Sequence, residues 1–142
     1  MLIGLLLSIM KYYKPIGIFF CILLICACFM PWAYYADLNK SFTGFFSENN
    51  SYGRPGKYLS FFAFISIFLF VTPKVWAKRV HLFLAALGVG YAVKTFILYT
   101  SCYKAYCPEK LIGIYLMLVS TIVILLVSIF PDLKIENVKK RD

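Results

Sequence analysis

Cys102 and Cys107 are the residues whose type and spacing come closest to a chemical motif. They flank Tyr103-Lys104-Ala105-Tyr106 in a short polar stretch between two apolar runs. Two thiols so placed can close a disulfide in an oxidising compartment, stay free, or exchange. Turnover by exchange needs a low-pKa thiol and a second electron carrier. The other cysteines, Cys21, Cys26 and Cys28, lie within an apolar run with no acid or histidine nearby in sequence. Cys21 and Cys28 share a helical face. Zinc or an iron–sulfur cluster needs a fuller ligand set, so these three are read as small apolar packing residues. The sequence assigns no metal, no cofactor and no catalytic residue, and an enzyme is the less favoured class.

Lys94 is the sharper anomaly. It stands six residues before Thr100, inside the apolar run from Val80. A cation near the bilayer centre costs roughly 2.5–3.5 kcal/mol on insertion scales. Its stem either snorkels outward, or the ammonium turns inward to an anionic group, with Ser120 and Thr121 as neutral neighbours. Ser60, Ser66 and Ser128 are further neutral candidates. The apolar runs contain no Asp or Glu to pair with it, which also argues against a proton-coupled transporter. His81, the only histidine, follows Lys78 and Arg79 and is expected at a membrane interface, with no carboxylate near it in sequence to orient a general base.

The elements that position these residues follow from composition. Of the 142 residues, 62% are hydrophobic and 15% charged, with mean hydropathy +0.81. A soluble domain of this size is nearer half apolar and a quarter charged. The expected fold is therefore an all-α membrane protein, a four-transmembrane-helix bundle in one domain over 1–142. The net charge of +9 is carried in short segments beside aromatic residues. That pattern fits anchoring at anionic lipid and excludes a nucleic-acid groove as partner.

The spans are expected at about 15–33, 58–76, 80–100 and 111–130, with outer loops 34–57 and 101–110. Met1 to Met10 is apolar but too short to span, and Met10 is an alternative start. The first span resembles a signal peptide, but it ends in Pro31-Trp32-Ala33-Tyr34-Tyr35, too bulky for a cleavage site, so a retained helix is expected. Pro131-Asp132 is expected to end the last span. The tip Thr72 to His81 carries Lys74, Lys78 and Arg79 and no acid.

Charge sets the expected orientation. Lys11, Lys14, Lys74, Lys78, Arg79, Lys134, Lys139, Lys140 and Arg141 make nine cations on one side, against five (Lys40, Arg54, Lys57, Lys104 and Lys110) on the other. The positive-inside rule then puts both termini in the cytoplasm of a cell, or inner, membrane. Tyr12, Tyr13 and Trp76 are expected at the inner interface, and Trp32, Tyr34, Tyr35, Tyr58, Tyr99 and Tyr103 at the outer one.

Function is expected from two surfaces. Ala86/Gly90 and Gly88/Ala92 are small-xxx-small pairs that let a neighbouring helix approach, and Gly113 opens the bundle-facing side of the last span. The first outer loop offers Asp37, Asn39, Glu48 and Arg54, with glycosylation-type sequons at Asn39 and Asn49. The four-helix layout with a long first outer loop resembles the claudin-type and the disulfide-forming membrane proteins. That loop contains no cysteine, so neither family's outer-loop cysteine pattern is present and no function is carried over. The expectation is a binding, assembly or accessory subunit whose partners are the lipid bilayer and other membrane subunits. The alternatives are a small carrier or channel with Lys94 binding anions, and an extracytoplasmic thiol–disulfide protein using Cys102 and Cys107.

Overall fold

The structure, a computed structural model, describes residues 1–11, 13–36, 39–45, 53–72, 74–102 and 107–139. Its elements in chain order are α1 (Leu2–Lys11), α2 (Tyr13–Phe29), β1 (Pro31–Tyr35), β2 (Lys40–Thr43), α3 (Pro55–Val71), α4 (Val75–Thr100), β3 (Glu109–Lys110) and α5 (Ile112–Lys139). The chain is mostly helical. α2 packs on α3 and α5, and α4 packs on the same two. Val75–Thr100 and Ile112–Ile129 are long and apolar enough to cross a membrane by length and composition, while Lys14–Phe29 and Pro55–Val71 are apolar but shorter.

α2, α3 and α4 bury stripes rich in small residues, α5 buries Ile114, Met117 and Ile124 as well, and all four leave large apolar side chains outside. On α4 the buried stripe is Ala77, His81, Ala85, Gly88, Ala92, Thr95 and Tyr99, spaced by three and four as one helical face requires. Large rings from α3 fill the space these small residues leave. Phe62 lies over Gly88, where a Cβ would come within 2.9 Å of the ring, and Phe70 lies over Gly17 of α2 closely enough to leave no room for one. On the opposite face of α3, Phe61, Phe64 and Phe68 are 66%, 69% and 71% exposed.

A small antiparallel sheet, ordered β2-β1-β3, joins the two connections that were expected to be plain outer loops. β1 and β2 form a hairpin in which Tyr35 pairs with Lys40 and Tyr34 with Ser41. Asn39 sits in its turn at φ 50°, a left-handed conformation that Asn tolerates. The Asn39 side-chain oxygen accepts the Tyr34 hydroxyl at 2.5 Å. β3 joins from the second connection, pairing Ala33 with Lys110 and Tyr34 with Glu109. The all-α expectation is thus corrected to a mostly helical fold with a three-stranded sheet.

Four helix boundaries also differ from expectation. α2 stops at Phe29 because Met30 precedes a proline, and that position disfavours helical geometry. The β-prone Trp32-Ala33-Tyr34-Tyr35 run then pairs as a strand. α3 stops at Val71 for the same reason. Thr72 precedes Pro73 and is extended, at φ −75° and ψ 121°, with its N–H donating to the Phe68 carbonyl. α4 begins at Val75, so most of the basic tip is helix. α5, by contrast, continues through Pro131 to Lys139. Proline there leaves the Val127 carbonyl without its usual donor, and the helix runs on past the missing bond.

Gly44 and Gly90 should respond oppositely to an added side chain. A Cβ on Gly44 would stand 2.8 Å from the Cys28 carbonyl oxygen, whereas Gly90 has nothing within 4 Å. Gly44→Val is expected to cost about 1–3 kcal/mol by overpacking. Gly90→Ala is expected to be neutral, or to stabilise by about 0.5–1 kcal/mol through helix propensity. Thermal unfolding of the two variants in detergent checks both signs.

Candidate functional site

The end of the helices that carries the sheet holds the most specific packing in the molecule, and Trp32 is its centre. In regular pleating Trp32 and Ala33 would face opposite ways. The β1/β2 register shifts between Pro31 and Ala33, so Trp32 is the extra residue of a bulge, which re-aims a side chain. Trp32 and Ala33 are both 0% exposed. The indole N–H donates to the Ala27 carbonyl at 2.7 Å, an oxygen near the end of α2. The Trp32 carbonyl accepts from the Leu111 N–H at 3.0 Å. The ring meets Tyr99 edge-on, with centroids 5.3 Å apart and planes at 74°.

Glycine makes room for that ring on two sides. A Cβ at Gly113 would stand 2.9 Å from the indole and 2.5 Å from the Pro31 carbonyl oxygen, and one at Gly44 would stand 2.9 Å from the indole. Gly44 also donates its N–H to the Cys28 carbonyl at 3.1 Å and accepts from Gly56 at 2.6 Å. Trp32 thereby ties the end of α2, the hairpin, the start of α3, the end of α4 and the start of α5. It was expected in an interfacial belt with Tyr99, and both are instead fully buried. The signal available in sequence was the pair of glycines, Gly44 and Gly113, set in otherwise bulky segments. Trp76, at the other end, is 72% exposed.

The surface of this end is polar. Asn39, Lys40, Ser41, Arg54, Glu109 and Lys110 are exposed, as are Cys102 and Cys107. The two sulfurs stand at disulfide distance, 2.03 Å. Asp37 and Glu48 lie outside the described residues. Arg54 is the residue just before α3, and no capping bond comes from its side chain.

The residues expected at membrane depth do not form one site. Lys94 is exposed on α4. Ser120 and Thr121 are 0% and 1% exposed on α5. Their hydroxyls donate to their own helix, Ser120 to the Leu116 carbonyl at 2.6 Å and Thr121 to that of Leu118 at 2.8 Å. Gly88 and Ala92 belong to the buried stripe of α4, while Ala86 and Gly90 face outward. His81, expected at the interface, is 4% exposed, with its ring 4.3 Å from that of Phe70. The spacing of Ala77, His81, Ala85 and Gly88 was the available sign that His81 sits on a buried face. Among the described residues, no group of three or more His, Cys, Asp or Glu could share a metal ion. Cys21 and Cys28 are buried and Cys26 exposed, all three unbonded.

No known protein family, no curated protein and no solved structure matches the chain.

Two outcomes are expected at this end. Trp32→Ala should cost about 3–5 kcal/mol, the range for deleting a buried large ring, and should lower the thermal midpoint in detergent more than Trp76→Ala does. Denatured protein kept unreduced should take up three equivalents of maleimide, at Cys21, Cys26 and Cys28, rising to all five cysteines after reduction. Intact mass spectrometry counts both.

Proposed function

We propose that the chain is a multi-pass protein of the cell membrane, crossed by α2, α3, α4 and α5, and that it acts as a binding or assembly subunit. The sheet end faces outward and both termini face the cytoplasm. The observation that carries the membrane placement is the outward side of the helices. Phe64, Phe68, Phe83, Ile97 and Leu126 are each about half exposed or more, a surface that water disfavours and lipid tolerates. The charge count supports the orientation, since the end away from the sheet holds the larger number of Lys and Arg.

Binding is favoured over chemistry by what the sheet end offers. It presents cations, the Asn39 amide and two edge strands over a closely packed base, with the Cys102–Cys107 pair at disulfide distance beside it. Lys94 is set apart from Ser120 and Thr121, so a central anion path has less to support it. The role that fits is an accessory subunit presenting this outer face to another membrane protein.

Alkaline carbonate should leave the chain in the membrane pellet, and a carboxyl-terminal reporter should be active only when of the cytoplasmic type. Release into the supernatant, or a reporter active outside, removes the placement. Under mild detergent a reproducible partner should co-purify and should be lost on Lys40→Glu combined with Lys110→Glu, with the monomer still folded. A lone monodisperse monomer rejects the assembly role.

A further inference from the structure

α3 and α4 contact one another less closely than α2 and α5, α4 and α5, or α2 and α3 do, and a groove of about 160 Å³ opens between them, lined by Tyr58, Leu59, Phe62, Leu84, Leu87 and Gly88, with Tyr91 at one end. The lining is apolar but its two ends differ. Tyr58 and Tyr91 meet across the groove at its sheet end, with centroids 5.7 Å apart and planes at 62°. Continuing the face of Leu84, Leu87 and Tyr91 by three more residues reaches Lys94, one turn nearer the sheet. In the other direction the groove runs toward the α3–α4 tip and is purely hydrocarbon. Neither α3 nor α4 contains an acidic residue, and α2 contains none. An exposed ammonium on an apolar helix therefore lacks a carboxylate on these neighbouring helices.

We propose that this groove holds an acyl chain of an anionic phospholipid whose phosphate rests on Lys94. The polarity along the groove matches that of the lipid. A charged head lies toward the membrane surface at the sheet end, tyrosine rings sit at the glycerol level, and methylenes lie deeper over Leu84, Leu87 and Phe62. A lysine stem reaching upward from its helix places the ammonium at headgroup depth, where the phosphodiester is a charge-assisted acceptor. Gly88 keeps the floor low, since Phe62 already covers the position a side chain would take. The lipid would fill the seam between α3 and α4.

The proposal rests on α3 and α4 lying in the bilayer, which carbonate extraction tests separately. The full chain in neutral detergent is incubated with equal amounts of phosphatidylglycerol and phosphatidylcholine of the same acyl chains and read by native mass spectrometry. Retained phosphatidylglycerol should exceed phosphatidylcholine about fivefold, the preference expected of roughly one lysine–lipid contact. Lys94→Gln should bring the ratio to about one, and Lys14→Gln, at the other end of the helices, should leave it unchanged. Leu87→Trp, at a position 55% exposed, should reduce retention of both lipids by filling the groove. Excess inorganic phosphate should not displace the lipid. Equal retention by the unaltered chain overturns the proposal. So does a preference that survives Lys94→Gln, retention that survives Leu87→Trp, displacement by free phosphate, or a lipid-free dimer, which would place a second copy in the groove. If the chain resists carbonate but shows no preference, the lipid site alone is lost.

Discussion

The burial of Trp32 is the constraint from which the arrangement of the sheet end follows. A tryptophan is too large to vanish into a helix end unless its neighbours give way, and its N–H must find an acceptor when water is removed. Both conditions are met locally. Gly44 and Gly113 leave space on two sides of the ring, and the Ala27 carbonyl accepts the indole N–H. The side chain meets α2 at Ala27, α4 at Tyr99 and α5 at Gly113, and Gly44, which it also meets, holds Gly56 of α3, so one residue links the four helices at that end. The bulge in β1 exists in the service of that burial, since a regular strand would send either Trp32 or Ala33 away from the helices.

Away from this end, packing follows a simpler division. Large rings on α3 lie over small residues on α2 and α4, at Gly17 and Gly88. Hydroxyls inside the packing, Thr95, Ser120, Thr121 and Ser128, donate to carbonyls of their own helices and so ask nothing of their neighbours. Ser66 on α3 is an exception, its Oγ buried without a partner among the described residues. The seam between α3 and α4 is where the division is least complete, since the groove remains beside Phe62 and Gly88.

The polar residues sort by depth. Lys94 stays on the outer face of α4, whereas His81, a weaker charge with a flat ring, is buried against Phe70. A long stem lets an ammonium leave an apolar layer, and an imidazole has no such reach. Exposed polar groups gather at both ends of the helices, Lys14, Lys74 and Arg79 at one, and Asn39, Lys40, Lys110 and the Cys102–Cys107 pair at the sheet end. This separation supports the proposal that the sheet end is a recognition face and the helical belt a lipid face.

How much of this was legible follows from which interactions are local. Apolar runs, the basic tip and the Cys102/Cys107 spacing are properties of contiguous segments, so the helical character, two long apolar helices and the cysteine pair could be read from the chain alone. Proline departs from expectation in both directions: the expected spans to 33 and 76 run past Pro31 and Pro73, where α2 and α3 stop short, while Pro131, expected to end the last span, lies within α5. The sheet was not legible. β3 has only two residues and pairs with a strand more than seventy positions earlier, so no periodicity announces it. The choice between belt and core for Trp32 and Tyr99 likewise needed both ends of the chain in place. An aromatic ring suits either environment, and only the tertiary arrangement brings the glycines and carbonyls that make burial the lower free energy.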